Sequence, residues 1–209
     1  MIKLSKTSKL DGISSWSTPA GTTCPNSGNS QVCKGCYAKQ GNYRYNNVQE
    51  PRVHNMHAWK HQDFVMEFVK VLDNHRYFRW FDSGDIVSEE QARKIYLICL
   101  LTPWVKHWIP TRSYKDASIL PVLEDLAYLP NVAVRYSSDD YNRDTTGHQG
   151  TRSTVVTDIN HATGFLCKAT ETHGKCDGCR ACWDKSVPEI NYLIHGRVAV
   201  SQAKKLSLL

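Results

Sequence analysis

Seven of the eight cysteines in this sequence fall into two groups whose spacing suits ligation of a metal or a cluster. The first reads C-P-N-S-G-N-S-Q-V-C-K-G-C, with eight residues between Cys24 and Cys33 and two between Cys33 and Cys36. The second repeats the eight-residue gap from Cys167 to Cys176 and then runs C-D-G-C-R-A-C through Cys179 to Cys182. An even count also suits disulfides. A chain of 209 residues buries core enough without such staples, however, and thiols in a reducing compartment stay reduced unless a metal holds them. Metal binding is the expectation for both groups.

Two C-x-x-C knuckles brought together would make a tetrahedral four-thiolate zinc site. A C-x-x-C-x-x-C run does something further, because successive sulphurs at that spacing reach separate irons of one cubane while a distant cysteine completes the set. The expected cofactor is therefore a [4Fe-4S] cluster, with zinc as the alternative metal. Which four of the seven thiols bind it stays open, as does the choice between one centre and two. Cys99 lies in the apolar run I-Y-L-I-C-L-L, where a free cysteine is a small buried hydrophobe, and is left out.

The elements that must carry these groups follow from the periodicity. Val48 to Asn74 has apolar residues at helical spacing and predicts one long amphipathic helix. Tyr77 to Phe81 reads as a strand ending at Asp82-Ser83-Gly84-Asp85, and Ser88 as the N-cap of a helix to Leu101. A strand over Val105 to Pro110, a helix over Asp116 to Leu129 and a strand over Val132 to Tyr136 follow, with further strands at Ile13 to Ser17, Thr154 to Asp158 and Ile190 to His195. Strand and helix alternate with short links. The expected fold is one α/β domain over residues 1–209, a partial or small TIM-like (β/α) barrel of about six parallel strands with a Cys-rich loop near each end.

In such folds the loops after the strands share one face and carry the site. On that reading both cysteine groups lie on one face, near enough to share a cluster. The same face gathers Asp82, Asp85, Arg112 and Arg135 as candidate cofactor-binding residues, since carboxylates can orient a ribose or an amine and arginines can clamp a carboxylate or phosphate. Each is equally readable as an ordinary turn or capping residue.

The net charge of +6 leaves a small-molecule or nucleic-acid partner open, although the basic residues are scattered rather than striped. Neither a signal-peptide pattern nor an apolar run of membrane-spanning length is present in the sequence, which predicts a cytoplasmic protein with no membrane partner.

The segment C-K-G-C-Y-A-K at 33–39 resembles the cluster loop of radical S-adenosylmethionine enzymes, although eight residues rather than three separate its first two cysteines. That resemblance implies that Cys24, Cys33 and Cys36 ligate three irons and leave the fourth open to S-adenosylmethionine. Over nearly its whole length the chain is similar to a bacteriophage protein family named after a mycobacteriophage gene product. The shared pattern is the opening loop with C-Y-A, the strand R-W-F-D-S-G-D at 79–85 and the closing C-D-G-C-R-A-C-W at 176–183. Three functions are weighed: a cluster-binding phage protein with a redox or structural role, which is preferred; a radical enzyme with an open iron; and a zinc-stabilised nucleic-acid-binding module.

Overall fold

A computed structural model describes residues 2–208. Among these residues eight strands make one sheet: β1 (Ser5–Lys6), β2 (Ser14–Trp16), β3 (Tyr77–Trp80), β4 (Lys106–Thr111), β5 (Val132–Tyr141), β6 (Arg152–Val156), β7 (Phe165–Leu166) and β8 (Glu189–Leu193). Six α-helices accompany them: α1 (Gln31–Lys34), α2 (Asn46–Ala58), α3 (Phe64–Val71), α4 (Glu89–Leu101), α5 (Leu120–Tyr128) and α6 (Arg197–Lys205). The strands lie in the order β1-β2-β3-β4-β5-β6-β8-β7, and only β1 pairs antiparallel.

The expected α/β architecture with parallel strands is thus present, as an open, mostly parallel sheet. Its two outermost strands are two-residue edges, β1 running antiparallel and β7 lying beyond β8, and no ladder joins them among the described residues. Both are too short to carry an alternating pattern, which is why the sequence shows about six strands instead of eight.

Alternation along β3 separates the two faces. Phe78 and Trp80 join a core with Phe64 and Phe68 of α3, Ile95 and Ile98 of α4, and Leu123 and Leu126 of α5. Tyr77 points the other way, toward a smaller cluster of Leu10, Trp108 and Trp183. One face is therefore covered by helices, and the other is left for the cysteine loops. Ser88 caps α4 by accepting from the Gln91 amide at 3.2 Å, and Glu89 and Glu90 in its first turn complement the helix dipole.

The single long helix expected over 48–74 is two helices, broken at Trp59 to Asp63. α2 buries polar Arg52 and Asn55 instead of an apolar stripe, whereas α3 buries Phe64 and Phe68. The two faces demand different neighbours, and the break reorients the chain between them.

A buried histidine makes the core pH-sensitive. His107 is fully enclosed, accepting at Nδ1 from Trp80 Nε1 at 3.2 Å and lying 2.9 Å at Nε2 from Thr102 Oγ1, which donates to Ile98 O. Nε2 therefore carries the proton in the neutral ring, and a second proton would face the Trp80 N–H. Burial pulls the His107 pKa down to about 3. The unfolded chain takes up this proton near pH 6.5 and the folded one only near 3, so stability present above pH 6.5 is lost as pH falls toward 3. The slope reaches about 1.4 kcal/mol per pH unit. Urea titrations at pH 7, 5 and 4 should show this slope, and the variant His107→Gln should flatten it; an unchanged slope in the variant would assign it elsewhere.

Candidate metal centre

The first cysteine group sits at the carboxyl ends of the central strands. Ser30 caps α1 by accepting from the Cys33 amide at 3.2 Å, and its hydroxyl donates to Asp139 O on β5, fixing α1 against the sheet. Cys24 accepts an N–H bond from Gly21 at 3.4 Å. The turn before it packs on Gly84, which has φ +79°, and a Cβ there would stand 2.0 Å from Thr18 Oγ1 and 2.7 Å from Thr23 Oγ1. Only glycine lets the D-S-G-D turn and the cysteine turn approach this closely.

Cys33 lies near enough to Cys24 and Cys36 to help raise their pKa values, and Cys36 near enough to help raise that of Cys24, although burial is the larger cause for both. It pushes Cys24 up to about 11 and Cys36 in the same direction. Asp85 lies close to Cys24, and Arg112 close to Cys36. Asp85 is fully engaged: Oδ1 accepts from Thr111 Oγ1 at 2.7 Å and from the Ile86 amide, and Oδ2 from the Arg112 amide at 2.8 Å. Burial raises its pKa. Arg112 donates to Ser138 O at 2.6 Å and pairs with Asp139.

Asp82 is equally occupied. Arg52 from α2 reaches its two oxygens at 3.1 and 2.9 Å, Ser17 Oγ donates to it in a short bond, and Tyr43 approaches at 3.4 Å. Phe81, in the left-handed region at φ +54°, makes the bend that sends Asp82 into this cage. Arg52 is a partner that the sequence did not single out, because a helix read as apolar-striped gives no reason to bury an arginine.

The second group lies elsewhere. Its loop bonds back to residues that precede β2: the Cys176 amide donates to Lys9 O at 2.8 Å, while Asp11 accepts from the Gly178 amide at 3.0 Å and from Arg180 at 2.8 Å. Asp177 and Gly178, both at positive φ, shape the C-D-G-C knuckle. The Trp183 indole donates to Phe78 O at 2.8 Å and so fastens the loop's end across β3. The expectation that both groups crowd one set of strand ends is therefore corrected.

Cys167, Cys176, Cys179 and Cys182 line one pocket, walled by Phe165, Ala169, Ala181, Trp183 and Ile190 and by the cationic Lys168. Burial raises the pKa values of Cys176 and Cys182, the latter to about 11, and Cys182 Sγ lies 3.3 Å from the Tyr192 hydroxyl. Among the described residues no three His, Cys, Asp or Glu side chains converge as closely as a single ion requires.

Arg135 organises this loop. It is wholly buried on β5, and its guanidinium donates to the carbonyls of Cys182 at 3.2 Å, Val187 at 2.6 Å, Ala181 at 2.8 Å and Asp184 at 2.7 Å. The expected anion clamp is thus a loop clamp, which holds backbone where a ligand's oxygens were expected. Among the described residues no carboxylate pairs with it directly; Asp184 is the acid nearest in influence, and Cys182 of the thiol loop also lies within its field.

The family model described as Gene product 88 matches residues 2–185, and the chain belongs to that family. No curated protein and no solved structure matches. Among the described residues no helix is long and apolar enough to cross a membrane.

Proposed function

We propose that this member of the Gene product 88 family binds an iron-sulphur cluster of the [4Fe-4S] type through Cys167, Cys176, Cys179 and Cys182, for a redox or structural purpose. The observation that carries the reading is the pocket lined by all four thiols of the second group, whose other walls are apolar except for Lys168. Arg135 adds to it, because a buried guanidinium with no carboxylate in direct contact, within the field of Cys182, favours the net negative charge of four thiolates around a metal core. With pKa values raised by burial, Cys176 and Cys182 are neutral at physiological pH until a cation displaces their protons. Zinc would draw four sulphurs to one centre at about 2.3 Å, whereas a cubane distributes them over four irons around a larger core.

The first group supports a second reading. It offers three thiols and no fourth cysteine, the number that would leave one iron open, as in the radical S-adenosylmethionine enzymes whose loop C-K-G-C-Y-A-K resembles. The consecutive parallel order of β2 to β6, helices on one face, suits a partly rolled (β/α) barrel of that kind.

Purification without oxygen, followed by iron, sulphide and zinc counts, tests both readings. The expected product is brown, with about four irons and four sulphides for each filled centre. Cys182→Ala should abolish the second centre's share and Cys36→Ala should leave it intact. A colourless protein holding zinc and no sulphide would overturn the cluster reading, and co-purifying nucleic acid released by salt would then favour the zinc-stabilised nucleic-acid-binding alternative.

A further inference from the structure

Six arginines are at least partly buried, and five of them have strong acceptors. Arg52 has Asp82, Arg112 has Asp139, Arg135 has four carbonyls, Arg152 has Asp144 and Glu189, and Arg180 has Asp11. Arg79 is the exception. Its only hydrogen-bond acceptor among the described residues is the Tyr37 hydroxyl, 3.3 Å from Nη2, and its Nε is buried with no partner.

Beneath it lies a second orphan. The Arg79 guanidinium sits over the Trp108 indole, 4.5 Å from the ring centroid, in register across β3 and β4. Trp108 is only 5 % exposed, and its Nε1 is likewise buried without an acceptor. Two neighbouring donors, one of them cationic, thus lack the acceptor that folded proteins almost always supply. Asp82, the nearest carboxylate in influence, is already held by Arg52, Ser17 and Tyr43.

The location is informative as well. Tyr37 directly follows Cys36, and Trp108 packs at 5.1 Å between ring centroids against Trp183, which directly follows Cys182. The pair therefore lies between the two cysteine groups, on the face away from α3, α4 and α5. Arg79 is half-buried, and its bond to Tyr37 lies on its more exposed side.

We propose that Arg79, backed by Trp108 and edged by Tyr37, binds the oxyanion group of a small-molecule ligand, a carboxylate or a phosphate. Its planar fork matches either group in a bidentate fashion, and the indole wall supplies a flat apolar surface beside it. This goes beyond the metal reading and requires no metal.

The test is a nuclear magnetic resonance titration of the full-length, metal-free protein with acetate and, separately, with inorganic phosphate. The Arg79 Nε–H and Trp108 Nε1–H signals are followed, with the exposed, Glu89-paired Arg93 as control. At least one anion should shift both signals together to saturation, naming the ligand's class, while Arg93 shows no saturation. Arg79→Gln should weaken that binding by about tenfold or more, and Arg79→Lys, which keeps charge and fold, by less. Failure of both anions to saturate the wild-type signals overturns the site even if the glutamine variant does not fold, as does wild-type affinity in a folded variant. Because metal is absent, neither result bears on the thiolate reading, which the iron counts decide.

Discussion

Replacing Arg135 with methionine is expected to release the second cysteine loop from the sheet. The side-chain stem is roughly conserved, but four carbonyls, from Ala181, Cys182, Asp184 and Val187, lose their donor. Each buried acceptor left without a partner costs about 1–3 kcal/mol, and the loop escapes part of this by opening to water. The expected net loss is about 3 kcal/mol or more, concentrated in residues 176–187. Arg135→Lys should recover little, since one ammonium with three donors cannot span four acceptors spread along a turn. Two measurements check this together: urea unfolding for stability, and the rate at which a thiol reagent labels Cys182 in the folded protein. Labelling should accelerate markedly in Arg135→Met. Wild-type labelling with wild-type stability would mean that the loop is held chiefly by Asp11 and Trp183.

Asp82→Asn is expected to cost about 3–5 kcal/mol, because it strands Arg52 as a buried charge. Arg52 is only 3 % exposed, and its remaining partners, Ser83 Oγ at 2.6 Å and Val48 O at 2.6 Å, are neutral. Arg52→Met should be costly for the mirror reason, leaving Asp82 with hydroxyl donors alone. Removing both charges together, in Arg52→Met with Asp82→Asn, should cost clearly less than the sum of the single losses. The double-mutant cycle in urea decides the point, and additive losses would show that the two side chains act through separate neighbours. The pair also joins α2 to the D-S-G-D turn, so the first cysteine group should lose order with it.

The chemistry of this chain was legible where it rests on short-range spacing. The two cysteine groups, the strands β3 to β5 and the Ser88 cap can all be read from residues a few positions apart. What could not be read depends on partners far along the chain. Asp82 and Arg135 look like open ligand-binding groups at strand ends, yet Arg52 comes from 30 residues upstream of Asp82, and the carbonyls that engage Arg135 from 46 to 52 residues downstream. Nothing local singles out Arg79, which alternates with Phe78 and Trp80 along the strand. Only the Trp108 face and the occupied state of Asp82 make its lack of an acceptor visible. The place of the second group in the fold needed the loop's return to Lys9 and Asp11, which no local pattern announces.

The clamp on β5 also sets an order of assembly. A chain emerging from the ribosome presents Arg135 some 50 residues before the carbonyls it needs. During that interval β5 can pair with β4, but its guanidinium must stay in water, and the sheet beyond it has no finished surface to pack on. Completion waits for Val187, by which time Cys167, Cys176, Cys179 and Cys182 have all been made. The thiol-bearing loop is consequently the closing piece of the fold, and its cysteines stand open to the surrounding solution, with whatever metal or oxidant that contains, until the last strands dock.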